Sequence, residues 1–465
     1  MSRTDIDGGG SALEGEGSTD GDSSGLFDML EFGVALGGHP TTALMGGAKS
    51  VNKDGTTPID TLGARAINIS TEVTDSTYAA TGDEAILIGQ NSRAIAPNSI
   101  CIGANNAQSS SAPHTGYINI GNGNSSIGIN ALVIGQSATG AQSSVSLGQS
   151  ASVSSGTNGV AIGTSSNVTA QYGVAIGALG ATAAEVGVAL GSGTSASAKA
   201  TVAIGGDVLN GQGARATATS AIAIGGDDGS NPAAIASNTY SISIGTDSTC
   251  AGNSGVALGR GADCATSSSI AVGAFATANT ANAGVALGAS AVASASQAIV
   301  VGSGNALATR SIVIGNGNAA AGQSDIVALG ANADVDNSGA VAIGSRSTLG
   351  AQVTANGGIA IGGSQNTTSL AAQCSGLAGV AIGGGSGTSG EDGASVTANF
   401  GIAIGNDSVA SASRAVQIGA GTNSIANSCQ IGSSTTPLEI FLNLPVAAGT
   451  SGSLWNNAGV VSVAP

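Results

Sequence analysis

The apolar residues of this chain recur as four-residue cores and do not follow helical spacing. Three clear copies are Val174-Ala175-Ile176-Gly177, Val188-Ala189-Leu190-Gly191 and Val202-Ala203-Ile204-Gly205. Between Ile86-Leu87-Ile88-Gly89 and Cys429-Gln430-Ile431-Gly432 there are 23 such cores, and most intervals between their glycines are 13 to 15 residues. Two large residues flanking a small one alternate with period two, which predicts a short strand. The fixed spacing predicts one structural unit stacked many times. In each core the Val and Ile share one face and the Ala lies on the other. The closing glycine frees the backbone for a bend that a Cβ would resist. Small residues return three and five places beyond it, as in Ala276 and Ala278, Ala291 and Ala293, and Thr194 and Ala196, which predicts a second short strand. Two strands and two turns make one rung of a narrow parallel β-solenoid. At a strand spacing of roughly 4.8 Å, the stack predicts a rod of about 110 Å.

The middle residue of the core is Ala in 13 of the 23 cores. Such uniformity is foreign to a strand face open to water, so something is expected to pack closely against it. A 14-residue rung also has little interior to offset the ordering of its backbone, at roughly 1 to 2 kcal/mol per residue. Side-by-side association of identical rods would answer both points, and a parallel homo-oligomer about the rod axis is expected.

The repeating Val-Ala-Ile-Gly coil resembles the head repeat of trimeric autotransporter adhesins, the YadA-like left-handed parallel β-roll. The resemblance extends over residues 86 to 432 and implies a trimer. The same roll serves bacterial adhesins and phage fibres, so the resemblance predicts a fold more sharply than a function.

Composition narrows the function classes. The 465 residues include 77 glycines, only 8% are charged and 2% aromatic, and the formal net charge is −16. An acidic chain with no basic patch argues against nucleic acid and anionic membrane surfaces as partners. No run of about 20 apolar residues could span a bilayer as a helix, so no membrane insertion is expected. His39 and His114 are far apart in sequence, and no nucleophile elbow, phosphate loop or zinc-ligand spacing occurs. No enzymatic activity, catalytic residue, cofactor or metal is expected. Asp207, Asp227 and Asp228 lack the nonapeptide period of calcium-binding β-rolls. Of the five cysteines, Cys101, Cys250, Cys264 and Cys429 take positions that Ala or Val takes elsewhere, and are expected to be small buried hydrophobes. Cys374 is expected free in a long loop. Sparse cysteines without Cys-x-x-Cys fit assembly in a reducing cytoplasm.

The chain divides into four parts by text. Residues 1–25 form a Gly/Ser/Asp arm with no basic segment leading into an apolar one, so no secretory signal is expected. Residues 26–80 are expected to be an attachment domain, with Leu26, Phe27, Met29, Leu30 and Phe32 as a docking plug and two imperfect cores, Val34-Ala35-Leu36-Gly37 and Ile67-Asn68-Ile69-Ser70. Residues 81–432 are the shaft. Its longest intervals follow doubled glycines at Gly205, Gly225, Gly362 and Gly383, which predict loops leaving the rung. Residues 433–465 are expected to cap the last rung, with Phe441, Leu444 and Trp455 as anchors and a hairpin turning at Asn456-Asn457-Ala458-Gly459. The ending Gly452-Ser453-Leu454-Trp455-Asn456-Asn457-Ala458-Gly459-Val460-Val461 looks like the closing hairpin of many phage fibre proteins. The expected function is therefore a trimeric bacteriophage virion fibre, a tail fibre in preference to a capsid-attached fibre or decoration protein. It would assemble in the host cytoplasm, dock on other virion proteins by its N-terminal part and contact a host-surface receptor. A bacterial cell-surface trimeric adhesin is the alternative. With 33 residues after Gly432, no outer-membrane anchor with a stalk is expected.

Overall fold

The computed structural model describes residues 65–70 and 80–432, apart from 109–114, 156, 180, 208–211, 280–281, 346–349, 366–367 and 387–390. At the two ends it describes the strands Phe32–Leu36, His39–Met45, Ser50–Val51, Pro58–Ile59, Leu454–Asn457 and Val460–Val463. The fold is an all-β parallel solenoid of about 23 turns, and no helix occurs among the described residues. Each core forms the first strand of a rung and pairs in parallel, residue for residue, with its neighbours: Val174, Ala175 and Ile176 lie beside Val188, Ala189 and Leu190. These strands belong to one 26-stranded sheet. The second strands, such as Ser195–Ala196 and Val292–Ala293, form sheets of 11 and 9 strands. Thr277 bridges Asp263 on one side and Val292 on the other, so the second ladder runs on through a single residue.

The closing glycines stand in a column. A Cβ on Gly205 would lie 2.6 Å from the carbonyl carbon of Gly225, and a Cβ on Gly225 2.7 Å from that of Gly245. Their φ values of +135° and +148° are strained for any residue with a side chain. Backbones can approach this closely only without side chains, which is why the glycine recurs.

The faces are the reverse of the expectation. Ala161, Ala175, Ala189 and Ala203 are fully buried and line the lumen, as do the other middle alanines. The flanking Val, Ile and Leu residues point outward and remain half-buried or exposed, with Ile176 at 39% and Ile314 at 46% exposure. The uniform alanine is thus explained by the rung's own second strand packing against it. The side of the first strand left open on the outside is the aliphatic one.

The lumen is narrow enough for its volumes to compensate. A Cβ on Gly159 would lie 2.8 Å from a methyl of Val153, one on Gly358 would lie 2.7 Å from a methyl of Val353, and one on Gly401 would lie 2.9 Å from a methyl of Val396. A larger residue on the second strand therefore meets a glycine just before a first strand, which keeps the interior close-packed. Polar residues at that pre-strand position are satisfied locally. The Ser144 hydroxyl donates to the Ala141 carbonyl at 2.6 Å and the Ser311 hydroxyl to Ala308 at 2.6 Å.

The ladder reaches back to Ile67–Ser70, which pairs in parallel with Ile86–Ile88. His39–Met45 then adds antiparallel to Ile67–Ser70, and Phe32–Leu36 antiparallel to His39–Met45. The parallel stack is thereby closed by a hairpin where an open edge would otherwise offer unpaired backbone groups. Near the other terminus Leu454–Asn457 and Val460–Val463 pair as a hairpin, with Trp455 opposite Ser462.

Candidate interaction surfaces

Three outer surfaces follow from the rung. The first is the aliphatic ladder. Both flanking positions of every core are Val, Ile or Leu except for Cys429, so Val174, Ile176, Val188, Leu190, Val202 and Ile204 are successive steps of one continuous stripe. Ile88, Ile134, Leu258, Ile314, Ile382 and Ile418 each retain more than a third of their surface in contact with solvent. Soluble monomers seldom expose contiguous apolar surface beyond a few hundred Å².

The second surface, on the outer side of the second strand, is mostly polar, with Ile235, Val292 and Val409 as apolar exceptions. Its ladder includes Thr139, Ser152, Asn167, Thr182 and Ser195, and further along Asn318, Asp334, Gln352 and Gln373. The Asn318 amide donates to Asp334 Oδ1 at 3.2 Å and the Gln373 amide to Gln352 Oε1 at 3.4 Å. Partial burial, with the Asp334 carboxylate nearby, raises the Asp336 pKa. The solenoid therefore has one greasy face and one wet face.

The third surface comprises the two turn edges. In every rung the residue two places before the first strand has φ between +49° and +68°. Asn, Ser, Asp and Gly hold many of these positions, as suits the left-handed region. Charged neighbours in this edge pair between consecutive rungs: Arg65 with Glu84, Lys199 with Glu185 at 2.7 Å, and Arg310 with Asp325. The last pair is bidentate, with Arg310 Nε donating to Oδ1 and Nη2 to Oδ2, both at 2.7 Å. That hydrogen bonding holds the Asp325 carboxyl below its usual range. Tyr172, Tyr240 and Phe400 occupy the same left-handed edge position and are exposed, and Arg414 lies 5.5 Å over the Phe400 ring. Phe275 sits on the opposite edge beneath Arg260, also at 5.5 Å. These aromatics look scattered in sequence, yet all four fall at turn positions with positive φ. Among the described residues of the shaft, Tyr117 differs from these four, being fully buried in the lumen with its hydroxyl donating to the Arg93 carbonyl at 3.0 Å.

The doubled-glycine loops leave from that opposite edge and return in register. Ala214 N donates to the Gly205 carbonyl, Ala234 to Gly225, Ala372 to Gly362 and Ala394 to Gly383, at 2.9 to 3.1 Å. The loop aspartates cap turns. Asp228 Oδ1 accepts from the backbone of Ser230 at 2.9 Å and Asn231 at 2.8 Å, which lowers its pKa, and Asp207 Oδ2 accepts from Gln212 at 2.6 Å. Among the described residues no group of three or more His, Cys, Asp or Glu is placed to hold a metal ion.

Two cysteine expectations need correction. Cys374 is not in a loop but inward on a second strand, between Val353 and Val396 in the ladder. Its loop ends earlier than the text suggests. Cys429 is exposed because the leading core position faces outward. Cys101, Cys250 and Cys264 are buried as expected. Burial pushes the Cys101 thiol up to about 11. Cys250 and Cys264 are register partners in adjacent rungs, and the hydrogen bond between them raises the Cys264 pKa.

Of the proposed attachment residues, Leu26, Phe27, Met29 and Leu30 lie outside the described residues, and Phe32 opens the strand Phe32–Leu36. Phe441 and Leu444 lie outside them too, and Trp455 belongs to the strand Leu454–Asn457.

Comparison with known families detects the YadA head domain repeat at residues 80–106, 154–179, 236–262 and 327–347. Each match spans about two rungs, and the ladder runs unbroken between them. A search among curated proteins finds no match.

Proposed function

We propose that this chain is the shaft of a homotrimeric adhesion fibre, its aliphatic faces turned to a common axis and its polar faces to solvent. The observation that carries this reading is the outward stripe of Val, Ile and Leu over all 23 rungs, opposite a polar face. The number three rests on similarity to the YadA head repeat. A rigid rod of about 110 Å holds its ends apart, and loops that leave from one edge could contact a receptor. The test is sedimentation equilibrium of the full chain with electron microscopy. A trimeric rod is expected, and a monodisperse monomer at micromolar concentration refutes it.

For the setting we favour a virion fibre, with a tail fibre preferred to a capsid fibre. It would dock on other virion proteins through its N-terminal residues and meet the host surface with its far end or its loops. The Leu454–Asn457 and Val460–Val463 hairpin supports this, because its sequence resembles closing hairpins of phage fibres. The second reading, a bacterial cell-surface adhesin, is favoured by the family match itself. Immunogold labelling with antibody to the shaft separates them: label on purified virions supports the first, and label on intact cells the second.

A further inference from the structure

The lumen holds one pair of nucleophilic side chains that the outer surfaces do not use. Cys250 and Cys264 close the strands Thr249–Cys250 and Asp263–Cys264, which run in parallel with Cys250 opposite Cys264. Both side chains point inward and are fully buried. The inward residues of the flanking rungs are Ala236 and Ala278, so this stretch of lumen asks only for a small residue.

The two sulfurs converge on one place. Gly255 leaves a hole beside them: a Cβ there would lie 2.6 Å from Cys264 Sγ and 2.9 Å from Cys250 Sγ. The hydrogen bond between the thiols lowers the Cys250 pKa and raises that of Cys264, which makes Cys250 the readier thiolate. Parallel neighbours in register stand about 4.8 Å apart, within the roughly 4.4 to 6.8 Å that a disulfide spans between Cα atoms. The other buried thiols have no cysteine as a neighbour in the ladder. Cys101 lies between Leu87 and Asn119, and Cys374 between Val353 and Val396.

The pair also sits beside the thinnest joint of the second ladder. Asp263–Cys264 ends the 11-stranded sheet, and the 9-stranded sheet begins at Val292–Ala293. Between them the ladder passes through the single residue Thr277, which bridges Asp263 and Val292. Local opening is easiest where the fewest pairings must break. An opening at Thr277 would uncover the sulfurs and admit a small oxidant.

We propose that Cys250 and Cys264 form a redox staple, a disulfide across two rungs made when the folded shaft meets a low-molecular-weight disulfide such as oxidised glutathione. The Cys250 thiolate attacks one glutathione sulfur, the glutathione S–S bond breaks, and one glutathione thiolate leaves. The Cys264 thiolate then attacks the Cys250 sulfur of the mixed disulfide and expels the second. The two cysteines lose two electrons to the glutathione disulfide, and their two protons go to the departing thiolates. A reducing compartment keeps the pair open during assembly, and an oxidising one closes it. The staple is a property of one copy and stands apart from the trimer.

The full chain, purified with reductant, is incubated with oxidised glutathione, then unfolded and alkylated without reduction. We expect Cys101 and Cys374 to take the label and Cys250 and Cys264 to refuse it. Trypsin cuts after Arg260, between the pair, and should leave peptides 216–260 and 261–310 joined. Cys250→Ala and Cys264→Ala install the residue that Ala236 and Ala278 supply in the flanking rungs. Both are expected to fold, with the remaining cysteine of the pair labelled. On the folded chain, limited proteolysis around Thr277 should slow at least about tenfold on oxidation of wild type, and not in either variant. Free Cys250 and Cys264 after oxidation, glutathione adducts on them in place of joined peptides, or a joined chain cut as fast as the reduced one would each overturn the staple.

Discussion

Replacing Ile176 by Asp tests which face of the first strand holds the fibre together. Ile176 is 39% exposed, so association can bury a little over a third of it. Full burial of an Ile is worth about 1.5 to 3 kcal/mol, which leaves roughly 0.6 to 1.2 kcal/mol per copy, or about 2 to 4 kcal/mol for three copies. Each new carboxylate must also shed water beside two like charges near the axis, at a cost of several kcal/mol more. Association should therefore weaken by at least two to three orders of magnitude, since about 1.4 kcal/mol is a factor of ten. Sedimentation velocity across the micromolar range measures this, with circular dichroism confirming that the β-signal remains. Thr182→Asp is the control. It lies on the polar ladder, where Asp263 and Asp334 already occur, and should change nothing. An Ile176→Asp chain that assembles like wild type would refute the argument that the aliphatic face is the contact.

Other expectations follow from the same geometry. Ala189→Leu should overpack the lumen and destabilise by about 1 to 3 kcal/mol, because Ala189 is fully buried; an unchanged thermal melt would place it wrongly. Gly177→Ala, at φ +152° and facing the Gly191 backbone, should break the stack locally, visible as a new site of limited proteolysis between neighbouring rungs. Asp325 has a depressed pKa in the fold, so its contribution is present above the unfolded carboxylate value and lost as pH falls through the folded one. The pair is exposed and the effect small; NMR should show the Asp325 midpoint rise toward the ordinary range in Arg310→Gln. Cys429 lies on the aliphatic face and is exposed in the protomer, so its thiol should label slowly in assembled fibre and quickly in the dissociated Ile176→Asp chain.

The chain's text alone determined the period, the strand character of each core, the parallel stacking and the need for glycine at every bend. These are local properties: an alternating triplet followed by glycine, written 23 times, has few other ways to pair. It also located four of the loops, because a second glycine marks the departures after Gly205, Gly225, Gly362 and Gly383. Only the tertiary structure decided which side of the triplet faces in. Period two separates Ala175 from Val174 and Ile176 but carries no sign, and hydrophobicity pointed to the wrong side. The sign is set by lumen width. Two strands this short enclose room for alanine opposite alanine, or for valine opposite glycine as at Val353 and Gly358, and the larger side chains are left outside. Those compensating pairs stand five or six residues apart in sequence, a spacing that has no meaning until the rung closes. The alignment of Tyr172, Tyr240 and Phe400 on one edge likewise depends on loops of unequal length being absorbed without loss of register. That registration is a property of the stacked backbone, which no single repeat contains.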